Sequence, residues 1–131
     1  MRPVAAAFSP PPIFATDEDR GVLANLLRTG RTSGGAALLH QEFERLSRAS
    51  AAEMPFVRLG SSVTYRDLRT KHERRVLLSP APPMETTGGE VSVSDTLGAA
   101  LLGLEEGAIF RWSDQSGRLR ALKVLAVSAP D

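Results

Sequence analysis

The sequence predicts an α+β fold in which a short antiparallel helical hairpin precedes an antiparallel sheet domain with one short helix. Two stretches in the first part of the chain carry apolar residues at helical spacing, Leu23 with Leu27 and Leu39 with Phe43. After Pro55 the pattern changes to short runs of alternating apolar and polar residues, bounded by glycine and proline, which is typical of strands. This change of period divides the chain into a helical part and a sheet part.

Composition limits the class of protein. The chain has 131 residues, enough for one hydrophobic core with a small appendage. Its hydrophobic content of 42% is ordinary for a globular protein. Its net charge of +1 does not indicate that the chain as a whole binds nucleic acid or an anionic membrane. Cysteine is absent, which excludes a disulfide scaffold and a thiolate metal site. No apolar run approaches the roughly 20 residues of a membrane span. The apolar N-terminus faintly resembles a signal peptide, but Pro10, Pro11 and Pro12 cut it short, so we expect a cytoplasmic protein.

The helical part is predicted over residues 14–52, after a flexible tail at 1–13 that is rich in alanine and proline. Thr16 is the expected N-cap of the first helix, and three carboxylates follow it where they suit the positive end of the helix dipole. Gly30 ends this helix, and a second helix is predicted over about residues 36–49. Because the connector is short, the two helices are expected to pack as an antiparallel hairpin.

The sheet domain is predicted over residues 53–131. Val63 and Tyr65 alternate with polar residues in its first strand, and a short apolar strand follows at 75–78. Three further strands are predicted at 90–94, 109–113 and 119–127, and the last two are joined by a hairpin turn at Asp114-Gln115-Ser116-Gly117.

The segment 90–107 is the most informative part of the chain. A strand pattern ends at Ser94-Asp95, a small-residue turn follows at Gly98-Ala99-Ala100-Leu101-Leu102-Gly103-Leu104, and another strand comes after it. This order and these residues resemble the signature of the C-terminal domain of the GreA/GreB family of transcription elongation factors. The resemblance continues through Thr16-Asp17-Glu18-Asp19 and Ser62-Val63-Thr64-Tyr65-Arg66-Asp67-Leu68, and so covers nearly the whole chain after the tail.

The resemblance implies a coiled-coil-like hairpin followed by an FKBP-like sheet domain that binds RNA polymerase near its secondary channel. Gre factors insert a long hairpin whose acidic tip helps to hold a metal ion for transcript cleavage. The connector at residues 28–35 of this chain contains no carboxylate, whereas a magnesium site usually needs one or two. The expectation is therefore a non-catalytic, monomeric transcription regulator without cofactor or metal, and without sequence-specific contact to nucleic acid.

Candidate partner-binding residues lie in three places. Arg28 and Arg31 are the charged residues of the hairpin tip. Phe110 and Trp112 are expected on opposite faces of one strand, one in the core and the other available to a partner. A basic cluster around the loop between the first two strands fits either a solvated hairpin tip or contact with an acidic surface or phosphate; it comprises Arg66, Arg69, Lys71, His72, Arg74 and Arg75.

Two other functions are consistent with the sequence. An FKBP-type peptidyl-prolyl isomerase would need a deep pocket lined by aromatic residues. The chain has only five Phe, one Tyr and one Trp, which is a small supply for such a pocket. A regulator of nucleotide metabolism that binds a small ligand would need a nucleotide pocket, but the glycines of residues 98–107 lack the lysine and hydroxyl of a phosphate-binding loop. His40 and His72 have no nucleophile at a recognisable spacing and are interpreted as surface residues.

Overall fold

The computed structural model describes residues 11–29, 36–81, 88–113 and 116–130. These residues form a mixed α+β fold, as the sequence predicts at this coarse level, with seven strands, three α-helices and one 3-10 turn at Ala49–Ala51. The helices are α1 (Asp17–Thr29), α2 (Ala36–Arg45) and α3 (Thr96–Leu101). The strands are β1 (Ile13–Ala15), β2 (Leu46–Arg48), β3 (Ser62–Asp67), β4 (Glu73–Ser79), β5 (Glu90–Ser92), β6 (Ile109–Ser113) and β7 (Leu119–Ser128).

Five of the strands form one sheet in the order β5-β4-β3-β7-β6. Neighbouring strands are antiparallel except at one edge, where β5 runs parallel to β4. The prediction of an antiparallel sheet is therefore wrong at this edge. The ten residues between Ser79 and Glu90 can span about 33 Å, more than the roughly 24 Å length of β4, so the chain is long enough to return and start again in the same direction.

The second helix ends four residues earlier than predicted. Residues 46–48 form β2, which pairs in parallel with β1, and Leu46 lies opposite Ile13. The helical spacing of Leu39, Phe43 and Leu46 does not distinguish a last helical turn from a strand that buries the same leucine. The backbone of β1 supplies hydrogen-bond partners for residues 46–48, so tertiary pairing overrides local propensity. Ile13, assigned to the tail from the sequence, is fully buried in this ribbon.

The N-terminal strand is attached to the sheet domain by its backbone. Ile13 forms an antiparallel bridge with Leu104, next to the contact between Phe14 and Gly103. The N–H of Val57 donates to the carbonyl of Leu104 at 2.9 Å, so the linker before β3 lies at the same place. Gly103 and Leu104, at the end of the segment that resembles the GreA/GreB signature, thus join the helical part of the chain to the sheet.

A single hydrophobic core connects the two parts. Leu23 of α1 and Leu39 of α2 belong to the same buried cluster as Val63 of β3 and Leu101 of α3. Helix α3 lies very close to the end of β5, because a Cβ atom on Gly98 would fall 1.9 Å from the carbonyl oxygen of Ser92. None of the three helices in the described ranges is both long and apolar enough to span a membrane.

The first turn of α1 is capped as predicted and makes a further contact. The Thr16 hydroxyl oxygen accepts the backbone N–H of Asp19 at 3.1 Å, which confirms Thr16 as the N-cap. Asp19 itself is buried, and its carboxylate accepts the backbone N–H of Leu59 at 3.0 Å. This carboxylate therefore links the start of the helical part to the chain leading into β3.

Candidate protein-binding site

A cleft with a volume of about 250 Å³ opens at one end of the inner face of the sheet, beside the N-terminus of α3. The strand register explains which side chains reach it. Tyr65 of β3 lies directly opposite Arg74 of β4, and Trp112 of β6 lies opposite Arg120 of β7. Directly opposed residues project from the same face of a sheet, so these four side chains converge at the end of the buried face. Leu97 of α3 also lines the cleft.

The aromatic part of the cleft is built from buried rings. Trp112 is 8% exposed and stacks on Phe110, with ring centroids 5.9 Å apart and planes inclined by 20°. The prediction that these two residues occupy opposite faces is wrong, because residues two apart on a strand project to the same side. The indole N–H of Trp112 is buried, and none of the described residues accepts it.

The polar part of the cleft contains an ion pair between two strands. A guanidinium nitrogen of Arg120 donates to the Asp67 carboxylate at 3.1 Å, and the same guanidinium lies 5.5 Å from the centre of the Trp112 ring. Burial by itself would raise the pKa of Asp67, but the hydrogen bonds that its carboxylate accepts, together with the charge of Arg120, lower it below the ordinary value. Asp67 therefore stays ionised at neutral pH and offsets the charge of Arg120.

Asp67 also organises the loop between β3 and β4. Its carboxylate accepts the backbone N–H groups of Arg69 at 2.8 Å and Thr70 at 3.2 Å. The N–H of Lys71 donates to the carbonyl of Asp67 at 2.8 Å, and Lys71 has a left-handed φ of 68°. This folding leaves the side chains of Arg69 and Lys71 exposed beside the cleft.

The structure separates the basic cluster that the sequence groups together. Arg74 lines the cleft, and no described residue forms an ion pair or hydrogen bond with its guanidinium. Arg66 projects from the opposite face of the sheet, where its Nε donates to the Glu73 carboxylate at 3.1 Å. Arg75, next to Arg74 on the same strand, also projects to that outer face, opposite Thr64.

The two tip arginines stand apart from the cleft. Arg28 is exposed in the last turn of α1 and donates to the side-chain oxygen of Asn25. Arg31 lies outside the described residues. The contribution of either residue to a partner contact remains a prediction.

The sequence analysis did not identify the two charged residues of the ion pair in the cleft, Asp67 and Arg120. Asp67 lies in the stretch from Ser62 to Leu68 that resembles the family, but no local pattern singles out either residue as part of a site. The alternation in β7 places Arg120 on the same face as Leu122 and Val124, which is a signal that it faces inward. The neighbour across the sheet follows only from the register of β7 against β3 and β6.

Comparison with known proteins agrees with this architecture. Residues 52–129, more than half of the chain, match the family described as the C-terminal domain of transcription elongation factor GreA/GreB. The regulator of nucleoside diphosphate kinase from Escherichia coli K12 is 34% identical over 122 residues, which cover 89% of each chain, and the protein of the same name from Shigella flexneri matches equally well.

A solved structure extends the likeness to the fold. The prokaryotic transcription elongation factor GreA/GreB from Nitrosomonas europaea superimposes with a TM-score of 0.65 at 25% identity, covering 91% of this chain and 99% of the other. The family resemblance seen in residues 90–107 is confirmed, and the names of these relatives do not favour the isomerase alternative. The chain belongs to the GreA/GreB family of transcription elongation factors.

Proposed function

We propose that this protein is a non-catalytic transcription regulator that binds RNA polymerase near its secondary channel. Membership of the GreA/GreB family, with a match along nearly the whole length of its named relatives, is the observation that carries this proposal. The sheet domain supplies most of the affinity, because the apolar residues of α1 and α2 are largely used in the shared core. The cleft with Arg74 and Trp112 is the part of this domain that offers a partner both charge and apolar surface.

The absence of transcript cleavage is part of the same proposal. The 13 residues of α1 make a helix of about 20 Å, and residues 28–35 carry no Asp or Glu in the sequence. Such a tip has no carboxylate with which to hold a catalytic magnesium ion. We propose that the two helices form an antiparallel hairpin whose tip reaches toward the channel, and that the sheet domain is FKBP-like. The protein acts as a monomer in the cytoplasm.

Binding to the host's core RNA polymerase tests the proposal directly. The titration uses fluorescently labelled polymerase, because the single tryptophan of this chain supplies little intrinsic fluorescence of its own. We expect saturable binding at micromolar protein in low salt, and competition with a Gre factor from the same host. Absence of binding under these conditions would contradict the proposed function.

A cleavage assay tests the second part. Backtracked polymerase complexes are incubated with this protein or with a Gre factor, and the released RNA fragments are measured. We expect fragments only with the Gre factor. Stimulation by this protein at a comparable rate would show that residues 28–35 do not decide the activity.

A further inference from the structure

We propose that the cleft between Arg74 and Trp112 receives one carboxylate side chain, Asp or Glu, that projects from a protein partner. The inference rests on the proposed function in so far as that function supplies a protein partner. It goes further by naming the chemical group that is recognised and the arginine that recognises it.

The size of the cleft favours a single side chain. Pockets for whole small molecules commonly measure about 300–1,000 Å³. At about 250 Å³ this cleft is smaller than that range. A side chain delivered by a protein needs only this volume, because the rest of the partner stays outside.

The charge of the cleft favours a single negative charge. Arg120 is neutralised by Asp67 at 3.1 Å, and the lowered pKa of that carboxyl keeps it ionised. Arg74 has no such partner among the described residues, so its guanidinium is the one arginine charge in the lining that no carboxylate offsets, and the exposed Arg69 and Lys71 beside the cleft have the same sign. A carboxylate carries one unit of charge, and its two oxygens match the paired N–H donors of a guanidinium. A phosphate group would bring nearly twice the charge.

The rest of the cleft suits the carbon atoms of such a side chain. Tyr65 and Trp112 are buried rings in its wall, and Leu97 adds a third apolar side chain to the lining. When methylene groups pack on these surfaces, each Å² of apolar surface that is removed from water stabilises the contact by about 25 cal/mol. The indole N–H of Trp112 is shielded from solvent, so the ring presents its carbon surface rather than this donor to a side chain in the cleft.

The test uses the whole chain and two short blocked peptides, one with a glutamate between two leucines and one with glutamine in its place. Trp112 is the single tryptophan, so its indole N–H resonance and fluorescence report from the wall of the cleft itself. We expect the glutamate peptide to shift this resonance saturably at concentrations up to about 10 mM, and the glutamine peptide to bind about tenfold more weakly or worse.

The chain offers a matched pair of variants. Arg74→Gln removes the cleft cation, and Arg75→Gln removes its neighbour on the outer face; both side chains are exposed. We expect Arg74→Gln to weaken the glutamate peptide about tenfold and Arg75→Gln to leave it unchanged. Equal binding of the two peptides, equal effects of the two variants, or no shift at the highest concentration would overturn the inference.

Two further outcomes separate this inference from the proposed function. A phosphoserine peptide that binds more tightly than the glutamate peptide would refute the assignment to a carboxylate. Polymerase binding that Arg74→Gln leaves intact would refute the cleft as the docking point, while the proposed function would stand. If the glutamate peptide binds in the expected way but polymerase does not, the proposed function fails and the cleft's ligand chemistry is supported.

Discussion

The backbone N–H of Phe14 donates a 3.0 Å hydrogen bond to the carbonyl oxygen of Gly103. Phe14 belongs to the strand that precedes the first helix, and Gly103 belongs to the corner that follows α3. These residues are distant in sequence, yet their backbones touch. The approach is possible because position 103 has no side chain: a Cβ atom there would lie 2.7 Å from the Phe14 carbonyl oxygen and 2.8 Å from its nitrogen. This contact holds the helical part of the chain against the sheet domain.

Gly103→Ala is therefore expected to destabilise the protein by about 2 kcal/mol or more. The substitution forces alanine to adopt a positive φ of 76°, which is strained for a residue with a Cβ atom. It also brings that Cβ atom into collision with backbone atoms, which cannot shift as readily as a flexible side chain. Urea denaturation followed by circular dichroism measures the change. Gly107→Ala is the control, because Gly107 has a φ of 91° but nothing within 4 Å of its Cβ position. Equal losses for both variants would show that backbone conformation alone matters.

Two glycines in helices are expected to respond to alanine with opposite signs. Gly21 lies within α1 with open space around it, so Gly21→Ala is expected to stabilise the protein by about 1 kcal/mol through helix propensity. Gly98 lies in α3 against the carbonyl of Ser92, so Gly98→Ala is expected to destabilise it through steric conflict. Thermal unfolding of the two variants tests the pair. Stabilisation by Gly98→Ala would contradict the close packing of α3 on β5.

Asp67 is expected to make stability depend on pH in acid. Its pKa is lowered in the folded protein, so its contribution is present above the unfolded value of about 3.9 and is lost as the pH falls through the lower, folded value. Asp67→Asn is expected to reduce the free energy of unfolding by about 1 kcal/mol at pH 7, with the difference narrowing below about pH 4. Urea denaturation at several pH values measures it. Glu73→Gln, in the exposed pair with Arg66, is the control and is expected to change stability by less than about 0.5 kcal/mol.

Charge reversal is expected to show which surface binds polymerase. Arg69→Glu with Lys71→Glu changes the loop beside the cleft, and Arg28→Glu with Arg31→Glu changes the proposed tip. We expect the loop variant to lose affinity several-fold and the tip variant to lose less, because the sheet domain supplies most of the affinity. Exposed charge pairs contribute about 0.2–1 kcal/mol each and influence the association rate more strongly.

The control for this comparison is the melting temperature. Arg28, Arg69 and Lys71 are exposed, so neither double variant is expected to melt at a different temperature from the parent. If both variants bind with unchanged affinity and salt dependence, the contact with polymerase does not involve these charges. A larger loss for the tip variant would move the main docking surface to the helical part.

The sequence by itself determined the features that depend on near neighbours along the chain. The alternation of Val63 and Tyr65 indicated the buried face of β3, and Thr16 marked the start of α1. The residues from Gly98 to Leu104 indicated the family. Periodicity and capping are properties of segments of about ten residues, and a short stretch of sequence contains all the information they require.

Only the tertiary structure decided the features that depend on which segments meet. The pairing of Leu46 with Ile13 ended α2 early, and the register of β7 against β3 brought Arg120 to Asp67. Arg74 and Arg75 point to opposite faces by strand alternation, but the register of β4 against β3 decided that Arg74 is the one on the cleft side. The contacts of Leu46 and Arg120 join residues far apart in the chain, and their energies depend on packing and desolvation that no local pattern encodes. For that reason the sequence indicated a basic cluster, but the folded chain determined which of its arginines lines the cleft.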